Sequence, residues 1–473
     1  MRMRPGKLMR ASGLLASILM LFGAHVAAAQ TPPRSVEDLF TPEHQNQLVL
    51  EVEAAIAVAQ AAEGVIPDAA AREIMDKANI RYTPIEEVRR EYAQVRHRMV
   101  AILNVWKRSM SKTAADHVHY GVTTVDVYDT VLTLQIRASI RYLIDDLRII
   151  EGRLLSLAEA HRDTPMIGRT LGQHALPITF GKKVAVWASV NRRNIDRLKE
   201  VAARIERLGV LKGAVGTHLG LGARGAVIER RVASSLGLSE PDPADWHGAR
   251  DVYAEYAQVL ALIAKSNAAI GEEVFRLQMT DIDEVSEGRP ETAVGSSTMP
   301  HKANPSRSEA LIHHGRTIPR LAEVLLDDVV NAFERDNTSR PNEVVEEITI
   351  AASDMLADAK VLLQRLEINK LKMRANLDRT GGLIMSQRIV FHLSNDIGRE
   401  RAEEHVRVAA ALAAEGGASF RAALLADPAI GPLVKDDIDA LLDPTTYLGL
   451  AGEQVDLTVA LIRKAQGKDK LAN

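Results

Sequence analysis

Residues 131–160 contain a single glycine, Gly152, and no proline. Leu132, Ile136, Ile140, Leu143, Leu147, Ile150, Leu154 and Leu157 recur through them at intervals of three and four. That spacing lays one apolar stripe along a helix. About thirty residues at 1.5 Å each make a rod of roughly 45 Å. Such a rod needs partners of similar length to cover its stripe. Residues 182–208 and 343–380 are likewise free of Gly and Pro, the latter long enough for one helix and the start of another element. Residues 247–280 and 306–330 keep a helical pattern with isolated interruptions. Five long helices in one stretch of chain read as a long helix bundle. Rods this long expose more apolar side than one chain covers, so association with further copies is expected.

The flanks are built of shorter helices. After EVEAAIAVAQAAE a Gly-Val-Ile-Pro break at 64–67 precedes a second helix, with Asp68 as its expected N-cap. Gly381-Gly382 and Gly416-Gly417 punctuate the last hundred residues. Aromatic residues make up only 4% of the chain, which argues against a β-sandwich or barrel. A net charge of −3 with no basic block gives nucleic acid nothing to bind. The absence of Cys excludes disulfides, thiolate metal sites and a cysteine nucleophile.

The first thirty residues have their own pattern. MRMRPGKLMR carries four basic residues and no acid, an apolar run follows at 14–22, and Ala27-Ala28-Ala29 precedes Gln30. This is the layout of a secretory signal peptide, and the apolar run is short for a membrane span. Residues 1–29 are therefore expected to be removed after Ala29, leaving an exported, periplasmic protein with no membrane segment.

Three polar clusters interrupt the helical pattern. GSSTMPHKANP, at 295–305, combines Gly295, Ser296, Ser297, Met299, Lys302 and Asn304 with two prolines, Pro300 and Pro305, that prevent helix. It reads either as a lid closing over an anion or as a solvated surface loop. HYGVTTVDVYDT, at 119–130, places His119, Thr123 and Thr124 before Asp126 and Asp129. The acids suit the first turn of a helix, which leaves the His and the paired Thr unexplained. GRTLGQHALPITFGKKVAVW, at 168–187, carries Arg169, Thr170, Gln173 and His174. It reads as an extended or turn-like link, long for a bundle connection.

These segments resemble the motifs of the fumarase/aspartase superfamily. GSSTMPHKANP is similar to its GSSxMPxKxN loop and HYGVTTVDVYDT to its HxGxTSxDxxDT segment. RTLGQHALPITFGKKVAVW looks most like the third segment as it occurs in 3-carboxy-cis,cis-muconate cycloisomerase. GVIPDAAAREI and LDPTTYLGLAGEQVD resemble the branch that holds that enzyme and adenylosuccinate lyase. Five such matches in order, spread from about residue 39 to 460, are specific where one alone is weak.

The resemblance implies an all-α, L-aspartase-like fold in three helical domains: 30–130, a central five-helix bundle at 131–373 that carries the catalytic loop 295–305, and 374–473. It implies a homotetramer built around that bundle, with active sites shared between subunits. The implied reaction needs no cofactor and no metal. It removes the proton next to a carboxylate of a succinate-like polycarboxylate, then eliminates from the neighbouring carbon, releasing fumarate or opening and closing a lactone. Ser296 would be the base, stabilised by Lys302, with His119 in the catalytic pocket. Thr123, Thr124, Arg169, Gln173, His174, Ser297, Met299 and Asn304 would bind substrate. His97 matches a family histidine only loosely and reads as a partly exposed helix residue.

Three departures bear on the substrate. Where fumarases and adenylosuccinate lyases read RTH, this chain has Arg169-Thr170-Leu171, and Leu171 can neither position nor protonate a leaving group. The cycloisomerases share an apolar residue there with a His soon after, as His174 is here. Thr124 stands where the motif has Ser, which keeps the hydroxyl and narrows the pocket. FERDNTSRPNE, at 333–343, matches only in part, so Arg335 reads either as an anion binder or as a salt-bridging residue at a helix end. The alternatives are adenylosuccinate lyase itself and a catalytically inactive carboxylate-binding homologue.

Overall fold

The computed structural model describes residues 32–244, 246–288, 298–299 and 301–471. The expected signal peptide, Ser296 and Ser297 lie outside the described residues. Helices take up 68% of the chain, so the fold is all-α. No helix among the described residues is long and apolar enough to cross a membrane.

The chain opens on α1 (Pro42–Ala62), α2 (Asp68–Asp76), α3 (Ile85–Val95) and α4 (Arg98–Lys107). Thr41 starts α1 by accepting the His44 N–H at 3.3 Å, and Pro42 occupies a position whose N–H has no helical partner anyway. The break at 64–67 appears as expected. Asp68, however, is the first residue of α2 and not its cap, a place taken by Pro67. Its carboxylate acts only on the helix dipole. His97 also differs from expectation. It is the N-cap of α4, accepting the Val100 N–H on Nδ1 at 3.3 Å.

The first long helix, α5 (Thr124–Ala160), starts at Thr124 and not at Val131. Its 37 residues make a rod of roughly 55 Å. The earlier start comes from Thr123 and Asp126: the Thr123 N–H donates to Asp126 Oδ2 at 2.8 Å, and the Asp126 N–H donates back to the Thr123 carbonyl. The apolar stripe is buried as its spacing requires, with Leu157 half-buried.

After α5 the expected link is an antiparallel hairpin, β1 (Pro165–Thr170) and β2 (Gln173–Thr179). Leu171 and Gly172 form its two-residue turn with φ of +51° and +77°, the handedness that suits the strand twist. There follow α6 (Phe180–Ile205), α7 (Gly225–Ser235), α8 (Asp251–Leu277), β3 (Val285–Glu287), α9 (Ser306–Asp327), α10 (Pro341–Arg365), β4 (Leu366–Ile368) and α11 (Lys370–Asp378). Strands β3 and β4 pair antiparallel, Ser286 opposite Glu367. The chain closes on α12 (Ser386–Ile397), α13 (Arg399–Ala414), α14 (Phe420–Ala426) and α15 (Ala451–Leu471).

The chain forms two compact units. The first holds the residues up to Asp145 with Asp196–Leu262 and Thr317–Asp354; the second holds Asp146–Ile195, Ile263–Arg316 and Met355–Asn473. Each of the five long helices, α5, α6, α8, α9 and α10, contributes residues to both. In the first unit Leu50, Val52 and Ile56 of α1 share a core with Ile102 and Trp106 of α4, Val127 of α5 and Ile228 of α7. In the second, Ile389, Leu393, Phe420 and Leu424 form a separate core. Arg192 of α6 is buried there between Glu151 of α5, Nε to Oε1 at 2.7 Å, and Asp469 of α15 at 2.8 Å.

Candidate active site

In the first unit, His119 stands just before α5 in a left-handed conformation, φ +64°. Glu53, buried on α1, holds it twice: the His119 N–H donates to Oε2 at 3.1 Å and Nδ1 lies 2.6 Å from Oε1. Burial works against a charged imidazole. The hydrogen bond to Glu53 and its negative charge outweigh that and raise the His119 pKa. With Nδ1 committed to Glu53, Nε2 is the ring nitrogen left to face a ligand. Gln60 of α1 fixes the next residue by donating to the Tyr120 carbonyl at 2.6 Å.

Gly121 then lies against Gly220. A Cβ on Gly121 would fall 2.8 Å from the Gly220 carbonyl oxygen, and one on Gly220 would fall 2.4 Å from that of Gly121. Two backbones approach here as only glycine allows. The contact brings KGAVGTHLG, at 212–220, beside His119. Within it His218 has φ +56° and a buried Nε2 that makes no hydrogen bond. Glu229 Oε2 is within ion-pair distance of that nitrogen at 3.4 Å, but without hydrogen-bond geometry. Glu229 Oε1 instead takes the buried Lys212 Nζ at 2.9 Å. No motif in the sequence marks this segment. Its available signal was a Lys and a His among closely spaced glycines.

Asp126 and Asp129 lie beneath as structural groups. Buried His247 places Nε2 2.8 Å from Asp126 Oδ1 and Nδ1 2.7 Å from Asp129 Oδ2, and Arg250 donates to the same Asp129 oxygen at 2.8 Å. Burial opposes charge on His247, yet the two carboxylates prevail and raise its pKa. Asp126 also accepts the Lys212 and Gly213 N–H groups at 3.1 and 3.2 Å. One carboxylate thus ties the start of α5 to the glycine-rich segment, and the half-buried Thr123 and Thr124 stand on that anchored turn. Trp246 extends the group. It packs on Gly216 and donates its indole N–H to the Glu334 carbonyl at 2.9 Å, holding the segment that carries half-buried Arg335.

In the second unit the described part of the loop places Met299 and Lys302 exposed and Asn304 half-buried. Its downstream end is fixed by Glu287 of β3, whose carboxylate accepts the Arg307 N–H at 3.0 Å, the Ser308 N–H at 2.7 Å and the Ser308 hydroxyl at 2.6 Å. This is an anion on a helix N-terminus. The hairpin is fixed at the other end of the same strand. Arg169 makes a bidentate pair with fully buried Glu284, at 2.9 and 2.7 Å, and Asn376 of α11 donates to Glu284 at 2.8 Å. Arg169, expected to bind substrate, has two of its donors on Glu284, a contact that ties the hairpin to the residue before β3.

His174 sits opposite Arg169 across the strands, half-buried, with Nδ1 buried and unpartnered. Burial, then the Arg169 charge, lowers its pKa, so the ring is neutral at pH 7. Gln173 is exposed at the tip. Leu171 beside it is fully exposed, at 100%. The structure therefore gathers His119, Thr123, Thr124, His218 and the Arg335 segment within one unit. Within the other it gathers Lys302, Asn304, Arg169, Gln173 and His174.

Two family descriptions match the chain: Lyase over residues 34–319 and Adenylosuccinate lyase C-terminus over 382–458. The N-acetyl-S-(2-succino)cysteine lyase of Dickeya dadantii is 36% identical over 433 residues, 90% of this chain and 94% of that protein. The adenylosuccinate lyase of Methanocaldococcus jannaschii is 36% identical over 428 residues, 89% and 92% of the two chains. The crystal structure of 3-carboxy-cis,cis-muconate lactonizing enzyme from Pseudomonas putida superimposes with a TM-score of 0.82 at 30% identity, covering 90% of this chain and 96% of that one.

Proposed function

Since the chain belongs to the lyase family of the fumarase/aspartase type, we propose that it eliminates fumarate from a succinyl compound whose leaving group departs as an anion. A thiolate from an S-succinyl thioether meets that description; the same elimination within a lactone would open the ring onto its own carboxylate and release no fumarate. Ser296 takes the proton next to a carboxylate, and the C–H electron pair becomes the new double bond. The bond on the neighbouring carbon breaks, its pair going to the leaving atom. Charge builds on the substrate carboxylate as the proton leaves. Lys302, Asn304, Thr123, Thr124 and the charged His119 are the donors aimed at it.

The observation that carries the choice of leaving group is the hairpin tip. Leu171 brings no proton there, and His174 beside it is held neutral. A thiol ionises near ~8.5 and a carboxyl near ~4, so either can leave as its anion, whereas a nitrogen leaving group would depart as a far more basic amide anion and so needs a proton. The likeness to an S-succinocysteine lyase supports a thioether and that to a muconate lactonizing enzyme supports a lactone. Adenylosuccinate is the second reading, favoured by the C-terminal match at 382–458. It requires another acid, the role His119 would then take.

A homotetramer with active sites shared between copies belongs to this reading, supported by the match to the lyase family. The signal-like residues 1–29 support export, where a thioether or lactone is a more accessible substrate than a purine nucleotide. Offering the purified protein N-acetyl-S-(2-succino)cysteine, a carboxymuconolactone and adenylosuccinate, and following absorbance, tests the reading. Turnover of the thioether or lactone at least tenfold faster than adenylosuccinate is expected. The reverse order would overturn it.

A further inference from the structure

A cavity of about 590 Å³ opens in the first unit, away from His119. The segment before α1 roofs it, pinned to α5 at two points: the Tyr142 hydroxyl donates to the Pro33 carbonyl at 2.5 Å and Gln135 Nε2 to the Leu39 carbonyl at 2.6 Å. Its walls are His44, Leu48 and Glu51 of α1, the face of α5 from Leu134 to Asp145, and Leu236 at the end of α7. Glu51 and Glu53 are two residues apart, about 200° around the helix, so they occupy opposite sides of α1. Glu53 holds His119 while Glu51 faces this cavity.

Two cations, Arg137 and Arg141, and two acids, Glu51 and Asp145, line it. Arg137 and Arg141 stand one turn apart on α5 and repel each other. Arg137 donates to the carbonyls of Gly237 and Leu236 at 2.5 and 3.2 Å, but its Nε is buried without a partner. Arg141 makes no hydrogen bond or ion pair among the described residues. Leu39, Leu48, Leu134 and Leu236 supply apolar wall. We propose that this cavity is a second binding site, for a monocarboxylic acid with an apolar body, its carboxylate against Arg137 and Arg141. The volume fits a molecule of that size.

Glu51 sets when the site accepts an anion. Burial pushes its carboxyl up to about 7, only partly offset by the Gln47 amide at 2.8 Å. Below that value Glu51 is neutral; above it, its charge opposes the ligand. The other titratable groups facing it do not reverse this. His44 is held neutral by burial, with Asp38 acting weakly against that. Asp145 is already engaged. Tyr142 is held by Pro33, and Glu206 acts on Arg137 from outside the cavity. The end of α7 contributes only Ser235 and Leu236.

Benzoate is the probe, titrated calorimetrically into the full protein at pH 6 and pH 8 with excess fumarate present. With Glu51 titrating near 7, binding is expected to be about tenfold tighter at pH 6. Glu51→Gln should bind at both pH values with the tighter affinity, and Arg141→Ala, at an exposed position, should weaken binding tenfold or more. Absence of binding at both pH values overturns the site. So does binding that fumarate abolishes and Arg141→Ala leaves unchanged, since benzoate would then be occupying the fumarate pocket.

Discussion

Glu53 grips His119 at both its backbone and its ring, with one carboxylate oxygen on the N–H at 3.1 Å and the other on Nδ1 at 2.6 Å. The first contact holds the left-handed turn and the second favours the charged ring. Glu53→Gln keeps the shape and removes the charge, so the His119 pKa falls. The basic limb of the kcat/KM profile should move to lower pH, with activity at pH 8 down tenfold or more. A profile unchanged from wild type would remove His119 from the chemistry.

His247 makes a prediction about stability. Its pKa is raised in the folded protein, so the stability it contributes is full below its unfolded value near 6.5 and is lost as pH rises through the folded value. Asp129 has the opposite sign. Its lowered pKa gives stability that is present above about 4 and lost as pH falls through the folded value. His247→Gln should cost about 3 kcal/mol at pH 6 in urea unfolding, because two buried carboxylates lose a cation. The difference from wild type should shrink toward pH 9.

Arg169 and Glu284 form a buried pair whose disruption strands a charge. Arg169→Ala should lower unfolding free energy by about 3–5 kcal/mol. Arg169→Ala with Glu284→Leu should recover much of that. Recovery of stability without recovery of activity would be the mark of a residue that positions the hairpin.

The hairpin tip carries a conflict between stability and function. Leu171 holds φ +51° with its side chain fully in solvent, a conformation that costs a leucine about 1 kcal/mol. Leu171→Gly should raise Tm by a few degrees. If the tip closes over substrate, the change should also lower kcat/KM. Higher Tm with unchanged activity would make Leu171 a passive loop residue.

How much of this was legible depended on the distance between partners. The long helices are readable because each apolar stripe repeats locally; the start of α5 differs most, since its cap lies inside HYGVTT, and α8 begins four residues after 247. The hairpin is not, because six- and seven-residue strands with one glycine and two prolines between them give too few alternations to stand out. Glu53 and Glu284 read as ordinary acids, and the residues that give them meaning lie 66 and 115 positions away. His218 was hidden differently: among glycines it reads as a turn residue until the contact of Gly121 with Gly220 places it beside His119.

The most direct test of the proposed chemistry is a set of S-aryl succinates whose thiols span pKa values from about 5 to 8, with fumarate release followed by absorbance. If the leaving group departs unprotonated, log kcat/KM rises steadily as the thiol pKa falls, and the slope flattens in Leu171→His, where a proton donor is restored. A flat series in the wild type, or fumarate release that persists in Ser296→Ala, contradicts the account.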